Sequence, residues 1–263
     1  MKPVFVYFSR YLMVLFIIWG AVSCGPTKHS HSPEIPKNKA DLSPEAARLL
    51  TELSQRNMLL MSFKGLGKLR IHRTNESFSL RMAATGVYPD RLRLSVMDIS
   101  GRVLETVAYD GRLLYMISHD GAHPFIKKKS RRSLMEKLVS IPILPEEILG
   151  FLLGRPYIRP FDRVNLLPAE DRDQTAVFYH GKDRVCTMTF SQEKELLAMD
   201  IYMDDDTPAY QVSFLRYTTH EGFRVPDEIL IVNPEKDILR LEMDRYWPNA
   251  IVRPDIFVLS GVE

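Results

Sequence analysis

Apolar and polar residues alternate one by one through most of the chain between Phe63 and Tyr246, and this period of two is the strongest constraint on its fold. Leu69 and Ile71 alternate with Lys68 and Arg70; Phe78, Leu80 and Met82 alternate with Ser79 and Arg81; Leu92, Leu94 and Val96 alternate with Arg91, Arg93 and Ser95. Successive side chains of a strand point to opposite faces, so each segment reads as a half-buried antiparallel strand. Segments 103–109 and 113–118 continue the pattern, with Asp110-Gly111 and Asp120-Gly121 as tight-turn signals. A second block covers 176–179, 185–190, 197–203, 210–215, 228–232 and 238–246, with Gly181 and Gly222 placed to turn hairpins. Here Met188/Phe190, Ile201/Met203, Val212/Phe214, Ile229/Ile231 and Leu239/Leu241/Met243 share one face. About eleven strands with no intervening βα units imply one large antiparallel sheet. It must curl or close, because a flat sheet would leave a whole apolar face in water.

Helical spacing appears in two places. Ser43-Pro44-Glu45 reads as an N-cap, a first-turn proline and a first-turn acid, and Ala46, Leu49, Leu50 and Leu53 follow with helical period to about Asn57. Between about Lys127 and Asp162 the strands are interrupted. Leu134, Leu138 and Val139 take a helical period, and 145–154 reads as a second short helix, with Pro145 and two glutamates at its start and Gly154 at its end.

The first 23 residues carry Lys2 and Arg10, then an apolar run from Tyr11 to Trp19, then Gly20-Ala21-Val22-Ser23 before Cys24. This is the pattern of a secretory signal, and the run is shorter than the roughly 20 apolar residues a permanent span requires. A cysteine directly after a small-residue tripeptide resembles the bacterial lipobox, which makes Cys24 the expected lipid-attachment residue. A diacylglycerol thioether plus an amide-linked acyl chain (palmitate being a common acyl group) exceeds the two-signal threshold for stable anchoring. The organisation read from the sequence is therefore a signal at 1–23, a Pro- and Ser-rich polar tether at 24–42, and a folded domain at 43–263. With Cys24 acylated, Cys186 has no disulfide partner, so the domain depends on its hydrophobic core. Removing Lys2 and Arg10 takes Lys+Arg from 35 to 33, equal to the 33 Asp+Glu, and a body of zero net charge argues against nucleic acid as partner.

The usual signatures of catalysis are missing: there is no Gly-x-Ser-x-Gly, no phosphate-cradling glycine loop, no Cys-x-x-Cys and no His-Glu-x-x-His. His72, His119, His123, His180 and His220 fall mostly at strand ends or turns, where a solvated histidine is expected. His29 and His31 lie on the tether, and the run Asp204-Asp205-Asp206 lacks the spaced ligands of a calcium loop. The sequence thus points to a non-enzymatic protein with no cofactor and no metal. Lys127-Lys128-Lys129-Ser130-Arg131-Arg132 is a dense basic patch that either contacts anionic lipid head groups or is a solvated loop leading into the helix.

Laid out in this way, the sequence resembles the LolA/LolB superfamily of lipoprotein carriers and acceptors, and is most like LolB because it bears its own lipid. Pro89-Asp90-Arg91-Leu92-Arg93-Leu94, followed by Met97-Asp98-Ile99-Ser100-Gly101, resembles that family's strand and protruding loop. Ile141-Pro142-Ile143-Leu144-Pro145 with 148–154 resembles its helical lid, and Arg240-Leu241-Glu242-Met243-Asp244 its closing strand. The resemblance implies an incomplete, half-open antiparallel barrel with an N-terminal helix, a short helical lid at Ile148, Leu149, Phe151 and Leu152, and a cavity for acyl chains. The cavity candidates are Leu69, Ile71, Phe78, Leu80, Met82, Leu92, Leu94, Val96, Met188, Phe190, Ile201, Met203, Val212, Phe214, Ile229, Ile231, Leu239, Leu241 and Met243. An ordinary filled core would give the same pattern. In LolB-type proteins an exposed leucine in the protruding loop delivers lipoprotein to the membrane; the matching position here is Ser100, so Ile99, Ser100 and Gly101 form the candidate delivery loop, with Ile99, just before Ser100, the candidate to take over the leucine's role.

Gly25 after the lipidated cysteine carries no aspartate-type retention signal, which by family analogy implies the outer membrane, facing the periplasm. The function this implies is a chaperone-like one in protein transport: receiving or inserting lipoproteins, whose acyl chains bind the cavity, in exchange with a periplasmic carrier protein. The competing function is an envelope assembly protein that uses the curved sheet to bind a protein partner. Extra length at 162–174 and after Trp247 is free for such a partner.

Overall fold

The computed structural model describes residues 42–73, 76–129, 132–168, 173–203 and 207–261. Cys24, the signal and the tether, together with His29, His31 and the aspartate run, lie outside the described residues.

The first and last strands of the chain pair at the centre of one open sheet. Helix α1 (Pro44–Gln55) leads into strands β1 (Ser62–Arg73), β2 (Glu76–Val87), β3 (Arg91–Met97), β4 (Val103–Asp110), β5 (Leu114–Ser118) and β6 (Ile126–Lys128). Helices α2 (Arg132–Val139) and α3 (Pro145–Leu152) follow. The second run is β7 (Arg163–Pro168), β8 (Gln174–His180), β9 (Asp183–Phe190), β10 (Leu196–Tyr202), β11 (Pro208–His220), β12 (Phe223–Val232) and β13 (Ile238–Pro248), and a 3₁₀ turn at Pro254–Phe257 ends the fold. Among the described residues, all 13 strands form one antiparallel sheet in the order β6-β5-β4-β3-β2-β1-β13-β12-β11-β10-β9-β8-β7. Every neighbour pair is a hairpin except β1 with β13, so the sheet is an up-and-down meander cut open between β6 and β7. The helical excursion joins those two edges, and its second helix packs on the sheet face against β3 and β12. Register shifts between β1 and β13, β3 and β4, β8 and β9, β10 and β11, and β11 and β12 mark bulges, which bend and twist strands locally.

The local reasons match the sequence signals. The Ser43 hydroxyl accepts from the Ala46 N–H at 3.1 Å, capping α1, whose Ala46, Leu49, Leu50 and Leu53 are buried. Gly111, Gly121, Gly181 and Gly222 all have positive φ, as the hairpin turns require.

Four differences separate the structure from the sequence reading. The strands number thirteen rather than about eleven, because Ile126–Lys128 and Arg163–Pro168 also pair. The basic run is therefore not wholly a loop: Lys127 and Lys128 belong to edge strand β6, and Lys127 sits 5.6 Å from the Tyr115 ring centre. Within segment 162–174, Arg163–Pro168 forms β7 and pairs with β8 rather than being left free for a partner. The tail after Trp247 packs back on the sheet, where Phe257 is fully buried beside β3 and β4 and the Arg93 guanidinium donates to the Ile256 carbonyl at 2.8 Å.

Candidate functional site

Strand register sets which side chains share a face. Leu69 stands opposite Leu80 on one side and Leu241 on the other; Ile71 stands opposite Phe78 and Leu239. Met82 faces Val96, Leu241 faces Ile229, Leu239 faces Ile231, and Phe214 faces Ile229. Val212 lies between Ile231 and Met199, and Met199 opposes Met188. The apolar candidates thus form one continuous sheet face from β3 across β1 to β9, all but Met203, which lies past the end of β10.

The helices fall on this face, and they cover it unevenly. Met82, Leu92, Met188, Phe190, Ile201, Val212, Phe214, Ile229, Ile231, Leu239, Leu241 and Met243 are buried, as are Leu69 and Ile71. Met188, Phe190, Val212 and Ile231 have no accessible surface at all, so no water-sized void touches them. Under β9–β13 the face packs into the hydrophobic cluster. Over β2 and β3 the cover thins: Leu80, Leu94 and Val96 keep partial exposure, as does Met203 past β10, and Phe78 is 44 % exposed. What sequence alone leaves as cavity or core is divided across the sheet.

Helix α3 is the main cover. Ile148, Leu149, Phe151 and Leu152 are all buried, and Phe151 meets Phe214 edge-on at 5.5 Å between ring centres. Gly86 on β2 lets the helix come close, since a Cβ there would lie 2.3 Å from the Phe63 ring and 2.5 Å from Leu149. The helix is pinned at both ends. At its N-terminus, Glu147 accepts from the Leu144 backbone N–H at 2.7 Å, from the Tyr210 hydroxyl at 2.5 Å, and from Arg159 at 2.8 and 3.2 Å. The second Arg159 arm donates to the Tyr202 carbonyl at 2.9 Å. At its C-terminus the Leu152 carbonyl accepts from the Tyr246 hydroxyl at 3.1 Å. Burial and then the adjacent Glu147 carboxylate push the Tyr210 phenol well above its ordinary range. Burial works to lower the Arg159 guanidinium, but Glu147 more than offsets this and leaves it raised. Sequence pattern assigned Glu147 only to a helix N-terminus; its partners Arg159 and Tyr210 lie in distant segments with no local signal.

The loop between β3 and β4 is a tight, self-braced turn. One Asp98 carboxylate oxygen accepts from the Ser100 N–H at 2.9 Å, the Ser100 hydroxyl at 2.6 Å and the Arg102 N–H at 3.0 Å, and Gly101 has φ +89°. The Ser100 hydroxyl, with these backbone donors, holds Asp98 below the usual carboxylate range. Ser100 is therefore spent inside the turn, and Ile99 projects from it, 85 % exposed. On the neighbouring outer face a cleft of about 470 Å³ is lined by Leu66, Lys68, Arg81, Met97 and Gly101 among others.

A further pair was hidden in the sequence. His123, expected as a solvated turn residue, donates to the Pro124 carbonyl at 2.8 Å and meets Glu105 at 2.9 Å, while His119 contacts the Thr106 hydroxyl at 3.0 Å. Cys186 is fully buried on the helix side of β9, and burial pushes its thiol far up.

No protein-family model and no curated protein matches the sequence. Solved structures do match it. A LolA superfamily protein of Nitrosomonas europaea aligns at TM-score 0.57 over 81 % of this chain and 97 % of its own, at 11 % identity. The fold is LolA-like. A domain from Vibrio parahaemolyticus named for outer membrane lipoprotein sorting aligns at TM-score 0.57 and 9 % identity, over 80 % of this chain and 94 % of its own. A DUF1329 family protein of Desulfovibrio piger aligns at 0.55 and 11 % identity, covering 81 % and 93 %. The LolA-like fold accounts for the open antiparallel sheet with helices on one face. At these identities it does not separate LolB-type proteins from the rest. Among the described residues no helix is long and apolar enough to cross a membrane.

Proposed function

We propose that the chain is a non-enzymatic lipid-handling protein of the bacterial envelope, anchored through Cys24 at the periplasmic face of the outer membrane, that takes up acyl chains of lipoproteins or other amphiphiles. The observation that carries this reading is the uneven cover of one continuous apolar face. Helix α3, which packs on β3 and β12, seals one end of the face, while Phe78, Leu80, Leu94 and Val96 stay partly open farther along β2 and β3, toward the Ile99 turn. An alkyl chain laid there gains about 0.8 kcal/mol per methylene removed from water. Methionines at Met82 and Met243 border this area and adapt to chains of different shape. Ile99, held out by the Asp98 brace, is the residue through which cargo is handed on, in exchange with a periplasmic carrier.

The test is titration of the chain from residue 25 onward with an environment-sensitive fatty-acid probe, beside a Leu94→Glu variant of matched circular dichroism. Saturable binding in the wild type that the variant loses is the expected result. No binding by the folded wild type overturns the reading. The fully packed interior around Met188 and Val212 would then favour the second one, an envelope assembly protein that presents its sheet to a protein partner. Fractionation that places the mature protein in the inner membrane overturns the assigned location.

A further inference from the structure

At the end of the sheet where α1 passes into β1, large apolar side chains stand in water with no local cover. Leu59 is 71 % exposed, Ile251 92 % and Trp247 43 %, and Met58 and Met61 are also exposed. Hydrogen bonds knit the segments that carry them into one surface. The Met61 N–H donates to the Asn249 side-chain oxygen at 2.8 Å, the Ser62 hydroxyl to the Ala250 carbonyl at 2.8 Å, and the Asn249 N–H to the Ser62 carbonyl at 2.7 Å. Arg155 donates to the Leu60 carbonyl at 2.9 Å and stacks its guanidinium 4.0 Å from the Tyr88 ring centre, which fixes the 58–61 turn from behind. The display is thus held by built contacts, and among the described residues nothing covers the exposed parts of these side chains.

The surrounding charge says what such a rim meets. Lys64 stands directly across the ladder from Trp247, and Arg245 across from Leu66, which is itself exposed. The strand ends Ser62 to Gly67 and Arg245 to Pro248 carry these two cations and no carboxylate. Single aliphatic and thioether side chains with a tryptophan beside them, flanked by cations, suit an interface whose interior is hydrocarbon and whose surface is anionic.

We propose that this rim, formed by Met58, Leu59, Met61, Trp247 and Ile251 with Lys64 and Arg245 beside it, seats the folded body on an anionic phospholipid bilayer. The rim is separate from the Ile99 turn. Met97, where that turn begins, pairs with Arg81 at the level of Lys68, six residues along β1 from Ser62, or about 20 Å at roughly 3.3 Å per residue. Seated in this way, the body lifts Ile99 off the surface it rests on, toward the side from which a soluble carrier approaches. The inference does not depend on lipidation of Cys24 or on acyl binding by the sheet.

Trp19 and Trp247 are the two tryptophans of the chain, so in protein from residue 25 onward fluorescence reports from the rim alone. The experiment mixes that protein with vesicles of phosphatidylcholine, with and without phosphatidylglycerol, and follows flotation, emission wavelength and quenching by brominated acyl chains. Expected are co-flotation with the anionic vesicles, a blue shift with quenching, and loss of at least tenfold in binding in a Leu59→Ser/Ile251→Ser variant. These side chains are exposed, so the variant keeps its fold and its fatty-acid probe binding, and Ile99→Ser keeps vesicle binding. Absence of flotation and blue shift in the wild type overturns the proposal. So does vesicle binding that survives the rim variant but is lost in Ile99→Ser. A concentration-dependent dimer that shields Trp247 without lipid assigns the rim to a second copy of the chain and likewise overturns it.

Discussion

Replacing Glu147 by alanine is the sharpest test of how the sheet keeps its cover. The carboxylate accepts four hydrogen bonds: two from Arg159, one from the Tyr210 hydroxyl and one from the Leu144 N–H. Its side chain is 1 % exposed and that of Arg159 16 %, so the substitution leaves a largely buried guanidinium with only the Tyr202 carbonyl as acceptor. Breaking a buried pair on one side costs about 3–5 kcal/mol, because the surviving charge keeps its desolvation penalty. In a domain of this size each kcal/mol moves the midpoint by about 2–4 °C, so the melting temperature falls by roughly 6–20 °C. The measurement is equilibrium urea unfolding followed by far-ultraviolet circular dichroism, with a thermal scan alongside. A Glu147→Leu/Arg159→Met double variant removes both charges and recovers most of the loss, less about 1 kcal/mol for the orphaned Tyr210 hydroxyl. A single variant that loses less than about 1 kcal/mol, or a double variant no more stable than the single, refutes the reasoning.

Other outcomes follow from single features. Cys186, fully buried with its thiol pushed up, stays inert to a thiol-specific disulfide reagent in native protein and reacts once in denaturant; rapid native labelling contradicts its placement. His123 is raised by its bond to the Pro124 carbonyl and by Glu105, and Glu105 is itself raised by burial, so the folded state binds protons more tightly than the unfolded chain. Stability is therefore higher at pH 6 than at pH 8, lost as pH rises from about 6.5 through the folded-state value, and His123→Gln flattens that slope. Gly67→Ala places a Cβ 1.9 Å from the Glu242 carbonyl oxygen at the β1 bulge, which costs about 2–3 kcal/mol in the same urea assay; a neutral result shows that the bulge moves freely.

Period-two patterning carried the long strands because each buries one face, and Ser43 and Pro44 marked α1 through bonds made within four residues. What stayed hidden depended on distance or brevity. Three residues of β6 are too few for a period to show, and their lysines read as a charged loop. In β7, Leu166 and Leu167 stand side by side and blur the alternation around Val164. The sequence lists the apolar face correctly by register, yet whether each position is covered depends on where α3 lies, and that is set by Glu147 meeting Arg159 and Tyr210. Ser100 looked like a lost leucine; its use as a hydroxyl donor to Asp98 appears only once the turn is built. The rim residues Met58, Leu59 and Met61 lie between the helical and the alternating patterns, and exposure is not a property of sequence spacing.

The pairing of β1 with β13 also governs the order in which the molecule can be assembled. Each half of the sheet grows by hairpins between neighbours, which close short loops at small entropic cost. The central seam, where Leu69 meets Leu241, joins the earliest strand to the last, and nothing local rewards it until nearly the whole chain is present. Until then β1 carries an open edge in the middle of what will be the sheet, and two half-sheets with bare apolar faces must find each other. Folding is accordingly slow for a chain of this length, and any truncation that removes β13 leaves two half-sheets with exposed central edges ready to pair with another copy.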